Sequence, residues 1–423
     1  MDKFDVIIVG GGPAGLMAAG QAAGRGLKVL LVEKKHLPAR KLGITGKGRC
    51  NLTNTADIKE FLKSFGHGDK FMRFVLGRYN NQDLISFFHN LGVETIEERG
   101  GRVFPEQQKA TIIVHALISW AKKQRVQIET KTSVKKILVN DNTITGVVIE
   151  KKSKDQSGST KRQEIKTENI IIATGGSSYP ATGSTGDGYV LAKDLGHSIK
   201  PPFPALVPLE TKEDLALKMQ GLSLRNVLAE IYIQDKKNSQ AFGEMLFTHF
   251  GVSGPIILTL SKTVVQALLE NKKTELLIDL KPAVSHAQLK KRIARVMHEQ
   301  GKKKLVNILK DFLPIKMIPV FLEESGLNPE KKGSSLTADE QKKLRLWCKS
   351  LKMEISGFRS FNEAIITCGG VNLAEVNPKK MASRLIKGLY FAGEVLDLDA
   401  DTGGYNLQAA FSTGWVAGQS VEL

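Results

Sequence analysis

The 423-residue chain is 41% hydrophobic and 25% charged, the balance of a soluble globular protein, and its length exceeds what one core usually serves, so two or three domains are expected. A net charge of +18 and a pI near 9.6 make polyanions candidate partners. No run of about 18 apolar residues marks a membrane span, and three widely separated cysteines with no CxxC pair argue against a dithiol reductase or a zinc ribbon.

The stretch FDVIIVGGGPAGLMAAGQAAGRGLKVLLVE, from Phe4 to Glu33, reads strand, glycine turn, helix, strand. Val6 to Val9 form a buried apolar run, Leu16, Ala19 and Ala23 share a helical face, and Val29 to Val32 form a second buried strand. With the first strand beginning by Phe4, no signal peptide is expected and the protein is placed in the cytoplasm. Residues 107–123 read as a helix. Short alternating stretches follow at 126–128, 134–139 and 144–149, then a charged, turn-rich stretch over 151–166, then a buried strand over 169–173 that ends at Gly175-Gly176. A small meander inserted in a parallel-sheet domain fits that order.

KPPFPALVPLE, at 200–210, carries four prolines and opens a segment with strand-like pieces at 227–233 and 275–280. Between Asp279 and Met353 the pattern is helical: Leu289, Ile293 and Val296 share a face, as do Leu344, Trp347, Cys348 and Leu351, and Thr337 with Glu340 makes a capping box. Those residues hold 17 Lys+Arg against 8 Asp+Glu, which concentrates half of the chain's positive excess there. From Ile365 the pattern returns to sheet and closes with a helix from about Tyr405 to Ser420. The expected organisation is α/β: a discontinuous Rossmann-like domain (1–195 with 355–423), an inserted β-barrel-like domain (196–278 with 336–354) and a basic helical subdomain (279–335).

Gly10, Gly12 and Gly15 form GxGxxG. The first permits the tight turn, the second lets backbone approach a pyrophosphate, and the third lets helix pack on strand, while the helix N-terminus offers free N–H groups to phosphate. Glu33, ending the second strand, is placed to bind a ribose diol. No second unit of this kind occurs, so a dedicated nicotinamide domain is not expected, and GSTGDG at 183–188 reads as turn chemistry.

IIIATGG (170–176) and LYFAGEVLD (389–397) resemble the two later fingerprints of the glutathione-reductase-type flavoproteins, in which distant segments converge on FAD. More narrowly, RKLGITGKGRCNLTN (40–54), RVFPEQQKA (102–110), ATGGSSYPATGSTGDGY (173–189), GEMLFTHFGVSGP (243–255) and GLYFAGEVLDLDADTGGYNLQAAFSTG (388–414) resemble the YhiN/BaiN-like flavoproteins, and these stretches span nearly the whole chain. The resemblance implies a discontinuous Rossmann-like FAD-binding domain interrupted by a β-barrel-like piece and a small helical piece. Members of that family have been described as ribosomal RNA dihydrouridine synthase, aminoacetone oxidase and bile-acid dehydroxylation protein.

The same resemblance implies the cofactor contacts. Ala14 would stand beside the glycines and Lys34 after Glu33. Arg40, Lys41, Gly46, Arg49, Cys50 and Asn51 would line a loop beneath the pyrophosphate, and Val134, Ala173, Thr174 and Gly175 would follow. Gly393 and Glu394 would meet the ribityl-pyrophosphate part, while Gly404, Asn406 and Leu407 would open a helix toward the flavin pyrimidine ring. Lys47 adds a positive charge where many relatives carry glycine.

Two residues are candidates for proton transfer. Cys50 has two readings, a thiol acid beside the flavin or a small buried residue that packs. His249 likewise either transfers a proton or structures a turn. Tyr179 and Tyr189 stack on a base or pack, and Cys348 and Cys368 read as core.

The function expected is an FAD-dependent reductase that converts a uridine in 23S ribosomal RNA to dihydrouridine with NAD(P)H, by ping-pong kinetics. Cys50 would protonate C5, and Lys290, Lys291, Arg292, Arg295 and Lys302 to Lys304 would grip the RNA. The alternatives are a flavin oxidoreductase for a small amine or steroid-like substrate, and an RNA-binding assembly factor with structural FAD. No metal and no membrane partner are expected, and the sequence carries no signal for oligomeric state.

Overall fold

The computed structural model describes residues 3–152 and 160–422, and the chain divides into two compact units, 1–204 with 365–423, and 205–364. In the first unit β1 (Val6–Val9) leads through the glycine turn into α1 (Pro13–Gly24), and β2 (Val29–Val32) pairs parallel to β1. Both strands are buried along their whole length, as expected of a parallel sheet covered on both faces.

After α2 (Arg40–Gly48), the strands β3 (Thr53–Asn54), β4 (Thr95–Glu98) and β5 (Arg102–Pro105) form a small antiparallel sheet with β5 in the middle. Helix α3 (Ala110–Lys123) then precedes β6 (Gln127–Glu129), which joins β2 in parallel. The meander is β7 (Thr132–Asn140), β8 (Thr143–Lys152) and β9 (Thr160–Lys166). Over 160–166 the expected turn-rich stretch is therefore a strand, because its polar residues sit on an exposed edge paired only to β8; residues 153–159 of that stretch lie outside the described residues. β10 (Ile170–Ile172) pairs with β1, and β11 (Ile199–Ala205) carries the proline-rich segment.

The second unit is a closed barrel of β12 (Leu209–Thr211), β13 (Ser223–Ile233), β14 (Lys236–Phe247), β15 (Gly251–Ser253), β16 (Thr274–Asp279) and β17 (Leu351–Phe358), in the order β12-β15-β14-β13-β16-β17. Helix α4 (Pro255–Leu269) joins β15 to β16. Between β16 and β17 run α5 (His286–Glu299), α6 (Met317–Ser325) and α7 (Ala338–Lys349). Capping boxes fix the starts of two of them, Ser285 with Gln288 at α5 and Thr337 with Glu340 at α7. One apolar core serves barrel and helices, with Leu276 and Met353 in the same cluster as Leu289, Ile293, Phe321 and Leu344.

The chain rejoins the first unit at β18 (Ile366–Val371). The short strands β19 (Val376–Asn377), β20 (Ala382–Ser383) and β21 (Leu389–Phe391) complete a seven-stranded sheet in the order β19-β20-β21-β10-β1-β2-β6. The closing helix α8 (Tyr405–Ser420) lies against α1. The two helices approach closely because Gly414 and Gly418 face α1: a Cβ at either would fall 2.3 Å from the Ala14 carbonyl oxygen and 2.4 Å from that of Ala18, respectively. Among the described residues no helix is long and apolar enough to cross a membrane.

Candidate functional site

The site grows from the C-terminal ends of β1, β10 and β21, three adjacent parallel strands, where crevices of such sheets bind ligands. Gly10 takes φ +106°, and a Cβ there would sit 2.5 Å from the Ala173 carbonyl oxygen. At Gly15 a Cβ would overlap the Gly10 oxygen at 1.9 Å. Gly12 is different: it caps α1 without a side-chain bond, and a Cβ there would meet nothing within 4 Å. Open space thus stands in front of a 12-residue helix whose first N–H groups point outward. Glu33 is held over the same turn, its Oε2 accepting from Gly11 N at 2.8 Å and its Oε1 from Lys35 N at 2.7 Å. A bare helix start with a carboxylate one strand away fits the pyrophosphate and ribose of a dinucleotide.

The later segments converge on this turn. Ala173, Thr174 and Gly175 follow β10 beside Gly10, and Gly393, at φ +77°, approaches Ala14 so closely that a Cβ would fall 2.9 Å from that of Ala14. Gly393 N donates to Thr413 Oγ1 at 2.9 Å, tying the third segment to α8. Lys41 Nζ donates to Glu394 Oε2 at 2.8 Å, and Glu394 Oε1 accepts from Thr367 N at 2.8 Å. Lys34 reaches across to Asp187 at 2.6 Å. Asn406 folds the segment before it, donating to the Ala400 oxygen at 2.8 Å and accepting from its nitrogen at 2.9 Å. Gly404, at φ +101°, abuts β3, where a Cβ would lie 2.3 Å from the Thr53 oxygen. Val134, on β7, and Leu407 are half-buried against the core, and Arg40 is half-buried at the start of α2.

The loop that holds Cys50 is partly helical. α2 breaks at Thr45, whose ψ is 150°, and turns through left-handed Gly46 and Lys47. Cys50 is itself left-handed at φ +63° and 0% exposed. Its N–H donates to the Thr45 oxygen at 3.0 Å. Burial pushes the thiol up to about 12, against the opposing bond to the Thr45 side chain, so it stays neutral. This enclosure is the geometry of a packing residue. Arg49 also differs from the expectation that it neutralises a cofactor phosphate, because Glu98 takes it: Nη1 and Nη2 each donate to that carboxylate at 3.0 Å. Asn51 bonds to the Thr53 oxygen and the Gly404 nitrogen, both at 3.1 Å.

His249 belongs to the second unit, where it is exposed and meets Phe250 edge-on at 4.9 Å. Tyr189 packs, its hydroxyl 3.5 Å from the Glu394 carbonyl oxygen, and burial raises its phenol above the ordinary range. The structure therefore gathers the glycine turn, Glu33, Lys41, Cys50, Asn51, Ala173–Gly175, Gly393, Glu394 and Gly404 in one unit. Glu98 and Thr413 were not singled out in the sequence; the bidentate partner of Glu98, Arg49, lies 49 residues away.

Comparison with known proteins fits this geometry. The family of the HI0933-like protein Rossmann domain matches residues 4–420. The chain is 31% identical to the 3-dehydro-bile acid delta(4,6)-reductase of Clostridium scindens over 98% of both chains. It is 29% identical to the ribosomal RNA dihydrouridine synthase of Escherichia coli over 100% of this chain and 98% of that one. Among solved structures, the 3-ketosteroid delta1-dehydrogenase of Sterolibacterium denitrificans aligns with a TM-score of 0.55 at 13% identity, over 100% of this chain and 99% of that one, a likeness of fold alone.

Proposed function

We propose a reaction from the premise that the chain belongs to the HI0933-like Rossmann-domain family and is an FAD-dependent oxidoreductase: it reduces a uridine of 23S ribosomal RNA to dihydrouridine, with NAD(P)H as reductant. The carrying observation is where unpaired positive charge stands. In the helical stretch Asp279 is paired with Lys349, Glu323 and Glu324 with Lys218, Glu330 with Lys304, and Glu340 with Lys331. Lys290 and Lys291 on α5, and Lys302 and Lys303 just after it, are exposed and have no acidic partner among the described residues. Two pairs of lysines without counterions, one on α5 and one just after it, suit phosphates along a polynucleotide, whereas a small neutral substrate needs none of them.

When bound, FAD supplies the hydride chemistry, and NAD(P)H restores its electrons. The chain's own residues would bind and orient it: the start of α1 would face the pyrophosphate and Glu33 the ribose, while Lys41 holds the Glu394 carboxylate in place. The N-terminus of α8 would offer backbone N–H groups to the flavin pyrimidine end, where negative charge would be favoured. Cys50 shapes the loop rather than donating the proton, in keeping with its enclosure.

The test is deletion of the gene followed by mass spectrometry of 23S ribosomal RNA nucleosides. Loss of a dihydrouridine, restored by the intact gene, is expected; an unchanged level in a strain whose parent carries the base defeats the reading. The identity to the bile acid reductase supports a second reading, reduction of a steroid-like ring, which predicts bleaching of the flavin by NAD(P)H and its reoxidation by an unsaturated steroid.

A further inference from the structure

Two sequence stretches, GKGRCN and RVFPEQQ, meet at the β4–β5 hairpin. Arg49, bound at both nitrogens by Glu98, lies with its guanidinium carbon 4.1 Å over the ring of buried Phe104. Arg102 stands opposite Glu98 in the hairpin register. Its Nη2 is 3.6 Å from the same carboxylate, and its Nε donates to the Arg99 oxygen at 3.1 Å. Gln108 also bonds to Glu98, and its own Oε1 is buried with no partner. Two guanidinium groups therefore share one carboxylate, which leaves a net positive charge. The side chains of Arg49 and Arg102 are 38% and 44% exposed, and each fork has five N–H donors, more than these bonds use.

This hairpin is fastened to the backbone just before α8. Asn54 Nδ2 donates both to the Gly100 oxygen at 2.9 Å, in the hairpin turn, and to the Gly403 oxygen at 3.1 Å. Asn51 adds the bond to Gly404 N. The pair of arginines thus belongs to the part of the unit that carries the start of α8, remote in sequence from the glycine turn before α1.

We propose that Arg49 and Arg102, whose shared carboxylate Glu98 neutralises only one of their two charges, form a phosphate subsite for the substrate, taking the phosphodiester next to the base that is reduced. The subsite rests on the ribosomal RNA reading and gives it a recognition element in the FAD-binding unit. Stacking on Phe104 keeps the Arg49 fork flat, so that two parallel N–H bonds can meet two phosphate oxygens.

The experiment titrates FAD-loaded protein with uridine and with uridine monophosphate, following the shift of the flavin absorbance. The nucleotide is expected to bind about tenfold more tightly than the nucleoside, the scale of a charge-assisted bond. Arg102→Gln and Arg49→Gln should erase that preference with flavin content unchanged. Glu98→Gln discriminates: a subsite keeps or strengthens the preference when the competing carboxylate is removed, whereas a mere structural strut fails in the same way as the arginine variants. Equal affinity for nucleoside and nucleotide, binding of neither, or loss of the preference in Glu98→Gln overturns the subsite. Persistence of dihydrouridine in the deletion strain overturns the RNA reading separately, since the nucleotide titration does not depend on which RNA is modified.

Discussion

Gly414→Ala sets two effects of opposite sign against each other. Alanine is favoured over glycine inside a helix by about 1 kcal/mol, so on propensity alone α8 should gain stability. The added Cβ, however, would stand 2.3 Å from the Ala14 carbonyl oxygen and 2.9 Å from its Cα. An ordinary carbon–oxygen approach needs about 3.3 Å, so the two helices must part by roughly 1 Å. Overpacking of that kind costs about 1–3 kcal/mol, which leaves a net destabilisation of up to about 2 kcal/mol after the helical gain. Because Ala14 lies in the first turn of α1, displacement there also disturbs the N–H groups that face the pyrophosphate, and FAD affinity should fall about tenfold, equivalent to 1.4 kcal/mol. Thermal unfolding of the apoprotein reads the first quantity, and fluorescence titration with FAD reads the second. Gly24→Ala serves as the control: its Cβ would meet only the Gln124 side chain at 3.4 Å, so the variant should be as stable as the parent or more so. If Gly414→Ala matches Gly24→Ala in both assays, the close approach of α8 to α1 does not constrain the cofactor turn.

Cys50→Ala should retain turnover within about threefold, while the small void left by the buried sulfur lowers stability by about 1 kcal/mol; a hundredfold loss of turnover at normal flavin content would return the proton to this thiol. Replacing Lys290, Lys291, Lys302 and Lys303 together by glutamine should reduce the log–log salt slope of RNA binding by about 0.7 for each single-strand phosphate that is no longer neutralised, with the flavin spectrum unaltered, and an undiminished slope excludes α5 from the interface. His197 is buried, with Nδ1 3.1 Å from Glu375 Oε2 and Nε2 2.9 Å from Ser383 Oγ. Burial lowers its pKa below the ordinary value, with Glu375 opposing. The unfolded chain then binds a proton that the folded one refuses, so stability falls as pH drops below the ordinary histidine value, by at most about 1.4 kcal/mol per pH unit for this one group. A melting temperature constant between pH 7 and 5.5, or the same slope in His197→Gln, rules that linkage out.

How far the sequence carries can be followed through its cations. The βαβ unit, the capping box at Thr337 and the extent of α8 were legible because their determinants lie within a few residues of one another. The positive face of α5 was legible for the same reason: the helical neighbours of Lys290 and Lys291, three and four residues away, include no acid, so nothing local could neutralise them. The loop cations offered no such guide. Arg49 meets Glu98 across 49 residues, Lys34 meets Asp187 across 153, and Lys41 meets Glu394 across 353. Before folding, all three looked as free for phosphate as the lysines of α5. Once folded they differ in kind, because a counterion brought by tertiary structure turns a charge into a fixed part of the site. Arg49 keeps recognition capacity only because a second arginine shares its carboxylate, and that sharing, set by the β4–β5 register, is information the linear pattern does not contain.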